Sequence, residues 1–109
     1  MSDNHLPDVY MSFRERFYQV TEALDALGRA TAAAGPLDER TQRLVNLGIA
    51  VGAQAEGAVR SHTRRALEAG ASGAEILHVV ALAISTRGFP AAVAAFSWVE
   101  EVLSAARAQ

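Results

Sequence analysis

The stretch Ala55 to Ser72, AEGAVRSHTRRALEAGAS, constrains the fold more than any other part of the chain. At helical spacing His62 shares a face with Ala55, Ala58, Val59, Ala66 and Ala69, while Arg60, Arg64 and Glu68 fall on the opposite side. Gly70 is the residue type favoured just past a helix C-terminus. Ser72-Gly73-Ala74-Glu75 then reads as a capping box that opens the next helix. The junction sets the angle between two helices and places a histidine, the side chain most easily poised as a proton carrier near neutral pH, on a stripe of small residues.

The same periodicity organises the flanks. Residues 1–8 read as a flexible N-terminus, and residues 9–109 as a single domain. Pro7 suits the opening of a first helix. Val9, Phe13, Phe17, Val20, Leu24 and Leu27 recur at spacings of three and four, which predicts one amphipathic helix ending before Gly35-Pro36. Asp38 is a candidate N-cap for a second helix, apolar on nearly all sides through Leu44, Val45, Leu47, Ile49 and Val51. Gly48 and Gly52, unfavourable inside a helix, predict close approach by a neighbour. Arg43 lies on one stripe with Leu47, Ala50, Val51 and Gln54, where it either snorkels past the helix end or points into a polar pocket.

After the histidine helix a fourth helix carries Ile76, Leu77, Val79, Val80, Leu82 and Ile84, with His78 among them. Thr86 to Pro90 breaks it. A fifth helix over Ala91 to Ala106 carries an apolar stripe of Val93, Phe96, Val99 and Leu103. No period-two alternation bounded by turns appears, so the fold is read as all-α with five to six helices.

Composition bears on what such a bundle can do. Half of the 109 residues are hydrophobic but only 6% are aromatic, so the apolar content is mostly small and aliphatic. A domain of this size buries limited surface, and its apolar stripes are wider than one copy needs, so a homo-oligomer is expected. The net charge of −2 argues against nucleic acid, and no uninterrupted apolar run predicts a membrane span. Without a signal peptide in the first residues, the chain reads as cytoplasmic.

All ten basic residues are arginines, which excludes a lysine Schiff base, and no cysteine is present to act as nucleophile, redox group or thiolate ligand. His5, His62 and His78 lack metal-ligand spacing, so neither a metal nor another cofactor is expected. The run Arg60, Arg64, Arg65 reads as a solvated helix face, with Arg64 and Glu68 an i, i+4 pair.

Leu37-Asp38-Glu39-Arg40-Thr41-Gln42-Arg43-Leu44, followed by the small-apolar helix and by His62 through Ser72 with Glu75-Ile76, resembles the carboxymuconolactone decarboxylase and alkylhydroperoxidase D superfamily. The resemblance runs from about Pro36 to Leu103. Gly88-Phe89-Pro90-Ala91-Ala92, Phe96 and Glu100-Glu101 resemble the decarboxylase branch in particular. Ala55-Glu56-Gly57-Ala58 falls where the peroxidase branch carries CxxC, and His62 matches that branch's active-site histidine.

The resemblance implies an alkylhydroperoxidase D-like helical fold and a ring-like homo-oligomer, commonly a hexamer, with sites near subunit contacts. Ala55 and Ala58 replace both thiols, so peroxidase chemistry has no nucleophile here. Arg43 stands where the peroxidase branch has a glutamate, and Ala58, Val93 and Ser97 stand where the decarboxylase branch usually carries an acidic residue, an asparagine and a histidine.

Three function classes follow. The first is a decarboxylase-type enzyme acting on a small organic acid, with His62 and Glu56 as catalytic candidates and Arg43, Arg87, Ala55 and Ala58 as substrate-binding ones. The others are a cysteine-less relative that binds small molecules without turnover and an oligomeric scaffold.

Overall fold

The computed structural model describes residues 8–108. Six helices are present among them and no strand: α1 (Asp8–Arg16), α2 (Tyr18–Ala32), α3 (Glu39–Ala53), α4 (Glu56–Glu68), α5 (Gly73–Arg87) and α6 (Phe89–Ala108). The all-α class and the count of five to six helices hold. Of the segment read as a flexible terminus, residues 1–7, with His5, lie outside the described residues, and Asp8 opens α1.

Local chemistry explains most helix ends. The Asp38 carboxylate accepts from Thr41 N–H at 2.8 Å and starts α3. Ser72 Oγ accepts from Glu75 N–H at 3.0 Å while Glu75 accepts from Ser72 N–H at 2.9 Å, completing the capping box of α5. At the end of α4, Gly70 takes φ +95°. Its N–H donates to the Leu67 carbonyl, and Ala71 N–H donates to that of Ala66, the paired bonds of a Schellman motif.

The chain divides into two compact units, one up to Pro36 and one from Leu37 onward. In the first, the predicted single helix is interrupted. Phe17 leaves helical geometry at φ −119°, ψ 55°, although Phe17 N–H still bonds to Phe13 O and Thr21 N–H to Phe17 O. The bend lets the Arg14 guanidinium reach the Asp25 carboxylate at 2.6 Å, a contact that a straight helix would hold about 16 Å apart along its axis. No glycine, proline or capping side chain marks the break, so the apolar periodicity runs straight through it.

In the second unit α3 packs on α4 and α5, and α6 packs on α4 and α5. The core is Leu47, Ala50 and Val51 of α3, Val59 and Ala66 of α4, Ile76 and Val80 of α5, and Ala92, Ala95, Val99 and Leu103 of α6, closed by Ala71. Two expectations change here. The fifth-helix stripe turns: Ala91, Ala92 and Ala95 join Val99 and Leu103 inside, while Val93 and Phe96 stay 46% exposed. Alanine faces fit between closely packed helices, and the bulkier side chains are left outside.

The second change concerns the glycines of α3. A Cβ at Gly48 would meet Val79 at an ordinary 3.5 Å, and one at Gly52 would meet nothing within 4 Å. Neither position therefore records a forced close approach within one copy. Helix α6, 20 residues long, also meets the length and composition of a membrane span, which the sequence reading did not register, yet its Ala91-Ala95-Val99-Leu103 face is core.

Candidate functional site

His62 lies mid-way along α4. Its helix is held from both sides: Val59 and Ala66 are fully buried, and buried Thr63 satisfies its hydroxyl by donating to Val59 O at 2.7 Å. The imidazole is half-buried, and Nδ1 is buried with no hydrogen-bond partner. Buried polar atoms are nearly always paired, so an orphaned ring nitrogen marks the position out.

The electrostatics favour the neutral ring. Burial lowers the His62 pKa below its ordinary value of 6.5, and the positive charges of Arg65 and then Arg43 lower it further. A cationic ring would bury an N–H with no acceptor. A neutral ring with its proton on Nε2 would avoid this and leave Nδ1 as a free acceptor. Arg43 comes from α3, where it lies 4.0 Å from the Glu39 carboxylate with 28% of its side chain exposed. Arg65 follows His62 by three residues on the same helix. Arg65 is exposed, as expected of a solvated helix face, and its i, i+3 spacing to His62 lets its charge act on the ring.

The remaining candidates divide between two places. Ala58 neighbours His62 at i, i+4 and is half-buried against the core. Ala55 is the N-cap of α4, about 10 Å along the axis from His62 at the helical rise. Glu56, exposed, pairs with Arg60 at 3.1 Å, and Arg60 also pairs with Glu101 of α6. Arg87 donates Nε–H to the Gly52 carbonyl at 2.9 Å and so caps the C-terminal end of α3. Gly52 lies nine residues beyond Arg43 on that helix, about 13 Å along the axis. Arg43 and Ala58 thus belong with His62, whereas Arg87 belongs with the α3–α4 turn.

That turn contains a residue the periodicity could not single out. Gln54 sits in left-handed geometry, φ 55° and ψ 38°, a conformation uncommon outside glycine and asparagine. Its Nε2 donates to Val51 O and to Ala91 O, both at 3.0 Å, tying the end of α3 to the start of α6. Ala55 N–H then bonds to Ala50 O and launches α4 in the direction that carries His62. Among the described residues no three His, Asp or Glu side chains are gathered as metal ligands.

Six helices with a capped, histidine-bearing central helix and small residues at 55 and 58 define a class that comparison with known proteins identifies. The model of the Carboxymuconolactone decarboxylase family matches residues 18–101, and the chain belongs to that family. The apo crystal structure of a carboxymuconolactone decarboxylase family protein from Legionella pneumophila is similar with a TM-score of 0.72 and 25% sequence identity, over 85% of this chain and 86% of that one. No curated protein matches the sequence.

Proposed function

We propose that the protein binds a small organic acid at His62 and that the neutral imidazole acts on it as a general base. The observation that carries this reading is the buried, unpartnered Nδ1 of a ring whose pKa is lowered by burial and by the charges of Arg65 and Arg43. An acceptor nitrogen held neutral suits proton abstraction at neutral pH, and the arginines favour an anion beside it. Family membership supports a carboxymuconolactone decarboxylase-like or alkylhydroperoxidase D-like protein. Without cysteine, the reaction is of the decarboxylase or isomerase type rather than a peroxidase.

A second reading, binding without turnover, is favoured by the engagement of Glu56 with Arg60, which leaves His62 as the sole candidate acid or base of the proposed set beside the ligand. Self-association supports either reading. Val45, Ile49, Leu82, Ile84, Phe89, Val93 and Phe96 of the second unit are all 44–66% exposed, a load of apolar surface that a homohexamer would cover.

The test is a panel of small carboxylic acids screened by thermal shift and calorimetry on wild type, His62→Gln and Arg43→Met. A carboxylate that binds wild type should bind Arg43→Met about tenfold or more weakly, the scale of a charge-assisted bond. His62→Gln should abolish any turnover while retaining binding within a few-fold. Binding indifferent to both substitutions overturns the site; binding that depends on Arg43 with no turnover in wild type selects the second reading.

A further inference from the structure

The Arg43 guanidinium has a group to meet in each direction along α3. Long side chains on a helix lean back toward its N-terminus, and one turn that way stands Glu39, whose 73% exposed carboxylate lies 4.0 Å from the guanidinium. The histidine lies the other way. Only Gln54 and Ala55 join α3 to α4, and the two helices pack on one another. Equal counts from that turn set His62 level with Leu47, one turn of α3 beyond Arg43 and about 6 Å along the axis. The Arg43 charge already acts on the ring from where it stands.

The pair with Glu39 differs from the other arginine–carboxylate pairs. Arg14 meets Asp25 at 2.6 Å, Arg40 meets Glu75 at 2.5 Å, Arg60 meets Glu56 at 3.1 Å and Arg107 meets Glu100 at 3.4 Å, each through a hydrogen bond. At 4.0 Å Arg43 and Glu39 attract one another without making one. The start of α3 does not need Glu39 as a cap either, because Asp38 already accepts from Thr41 N–H at 2.8 Å. Glu39 therefore leaves two effects to account for it. It places a negative charge in the first turn of α3, and it offsets the Arg43 charge while drawing the guanidinium away from the level of His62.

We propose that Glu39 is a built-in competitor for Arg43: its carboxylate holds the guanidinium while the site is empty and yields it to the carboxylate of an acid arriving beside His62. The inference rests on the reading of His62 and Arg43 as an acid-binding site, and adds the residue that sets how strong an anion the site demands. Glu39 is a positioning residue that acts through Arg43. An exposed i, i+4 pair is a weak hold, and two parallel N–H bonds to an incoming carboxylate exceed it. A neutral oxygen, such as that of the corresponding amide, does not.

Calorimetry of the full chain with succinate and with benzoate tests this on wild type, Glu39→Gln, Arg43→Met and the double variant. Glu39→Gln should bind the acids about two- to fivefold more tightly than wild type, between the hold of a helical ion pair and the pull of one unit charge at 4 Å in water. The gain should vanish in the Arg43→Met background, and Glu39→Asp, which keeps the charge, should stay closer to wild type than Glu39→Gln does. A purely structural Glu39 would change stability and leave affinity alone. Unchanged or weaker binding by Glu39→Gln, with Arg43→Met still impairing it, thus overturns the proposal while the acid site stands. Binding indifferent to Arg43 removes the acid site and the proposal together. A second arm needs no ligand: titration of the His62 ring by NMR. Glu39→Gln should lower the ring pKa further when Arg43 is present than in the Arg43→Met background, because the released guanidinium moves toward the ring. An equal change in both backgrounds overturns the proposal, and this arm decides it where neither acid binds.

Discussion

Arg87 Nε–H donates to the carbonyl of Gly52 at 2.9 Å, joining the last turn of α5 to the last turn of α3. The carbonyls at a helix C-terminus lack intrahelical donors and carry the negative end of the helix dipole, so a guanidinium is the side chain that serves them best. A residue read from sequence as a carboxylate ligand thus holds a helix end.

Replacing it should therefore show in stability. Arg87→Met is expected to lower the unfolding free energy by about 1 kcal/mol, the order of a partly exposed hydrogen bond from a charged donor. For a domain of this size that corresponds to a midpoint about 4–8 °C lower. The same variant should bind any carboxylate ligand within about twofold of wild type. Calorimetry reads both, and a large loss of affinity with unchanged stability would return Arg87 to the binding site.

The His62 ring makes stability depend on pH. Its pKa in the folded protein lies below the ordinary 6.5, so over the window beneath 6.5 the unfolded chain takes up a proton that the folded chain refuses. Stability then rises with pH wherever the unfolded state binds more protons. The His62 contribution is accordingly complete above about pH 6.5, declines as the pH falls below it, and levels off under the folded pKa. Urea unfolding of wild type and His62→Gln between pH 5 and 8 should show a slope in wild type that the variant loses.

Gln54 offers a test of backbone against side chain. Gln54→Ala keeps the left-handed geometry, at a cost of about 1 kcal/mol relative to glycine, and loses both side-chain bonds. Gln54→Gly loses the bonds but removes the backbone cost. The expected order of denaturation midpoints is wild type, then Gly, then Ala. Should alanine prove at least as stable as glycine, the left-handed conformation would not be the one populated in solution.

The Arg60 bridge to Glu56 and Glu101 is exposed at both carboxylates. Such pairs contribute little, so a double-mutant cycle on Arg60 and Glu101 should return a coupling below about 1 kcal/mol that shrinks further in 0.5 M salt. A coupling of several kcal/mol would show that the network is shielded from solvent.

What could be read from the chain alone was whatever a residue settles with its near neighbours. Asp38, the Ser72–Glu75 box and Gly70 stop or start helices through bonds spanning three to five residues, so their chemistry is written in consecutive letters. Family membership was legible on the same local patterns. Apolar periodicity likewise located α3 to α6, but it does not say which of two apolar faces turns inward. On α6 that choice went to Ala91, Ala92 and Ala95 over Val93 and Phe96, because only the alanine face fits against α4 and α5. The Phe17 bend, the left-handed Gln54 and the partners of Arg87 and Arg14 depend on groups 11 to 37 residues away. Only packing in three dimensions brings such groups within bonding distance, and no local propensity encodes it.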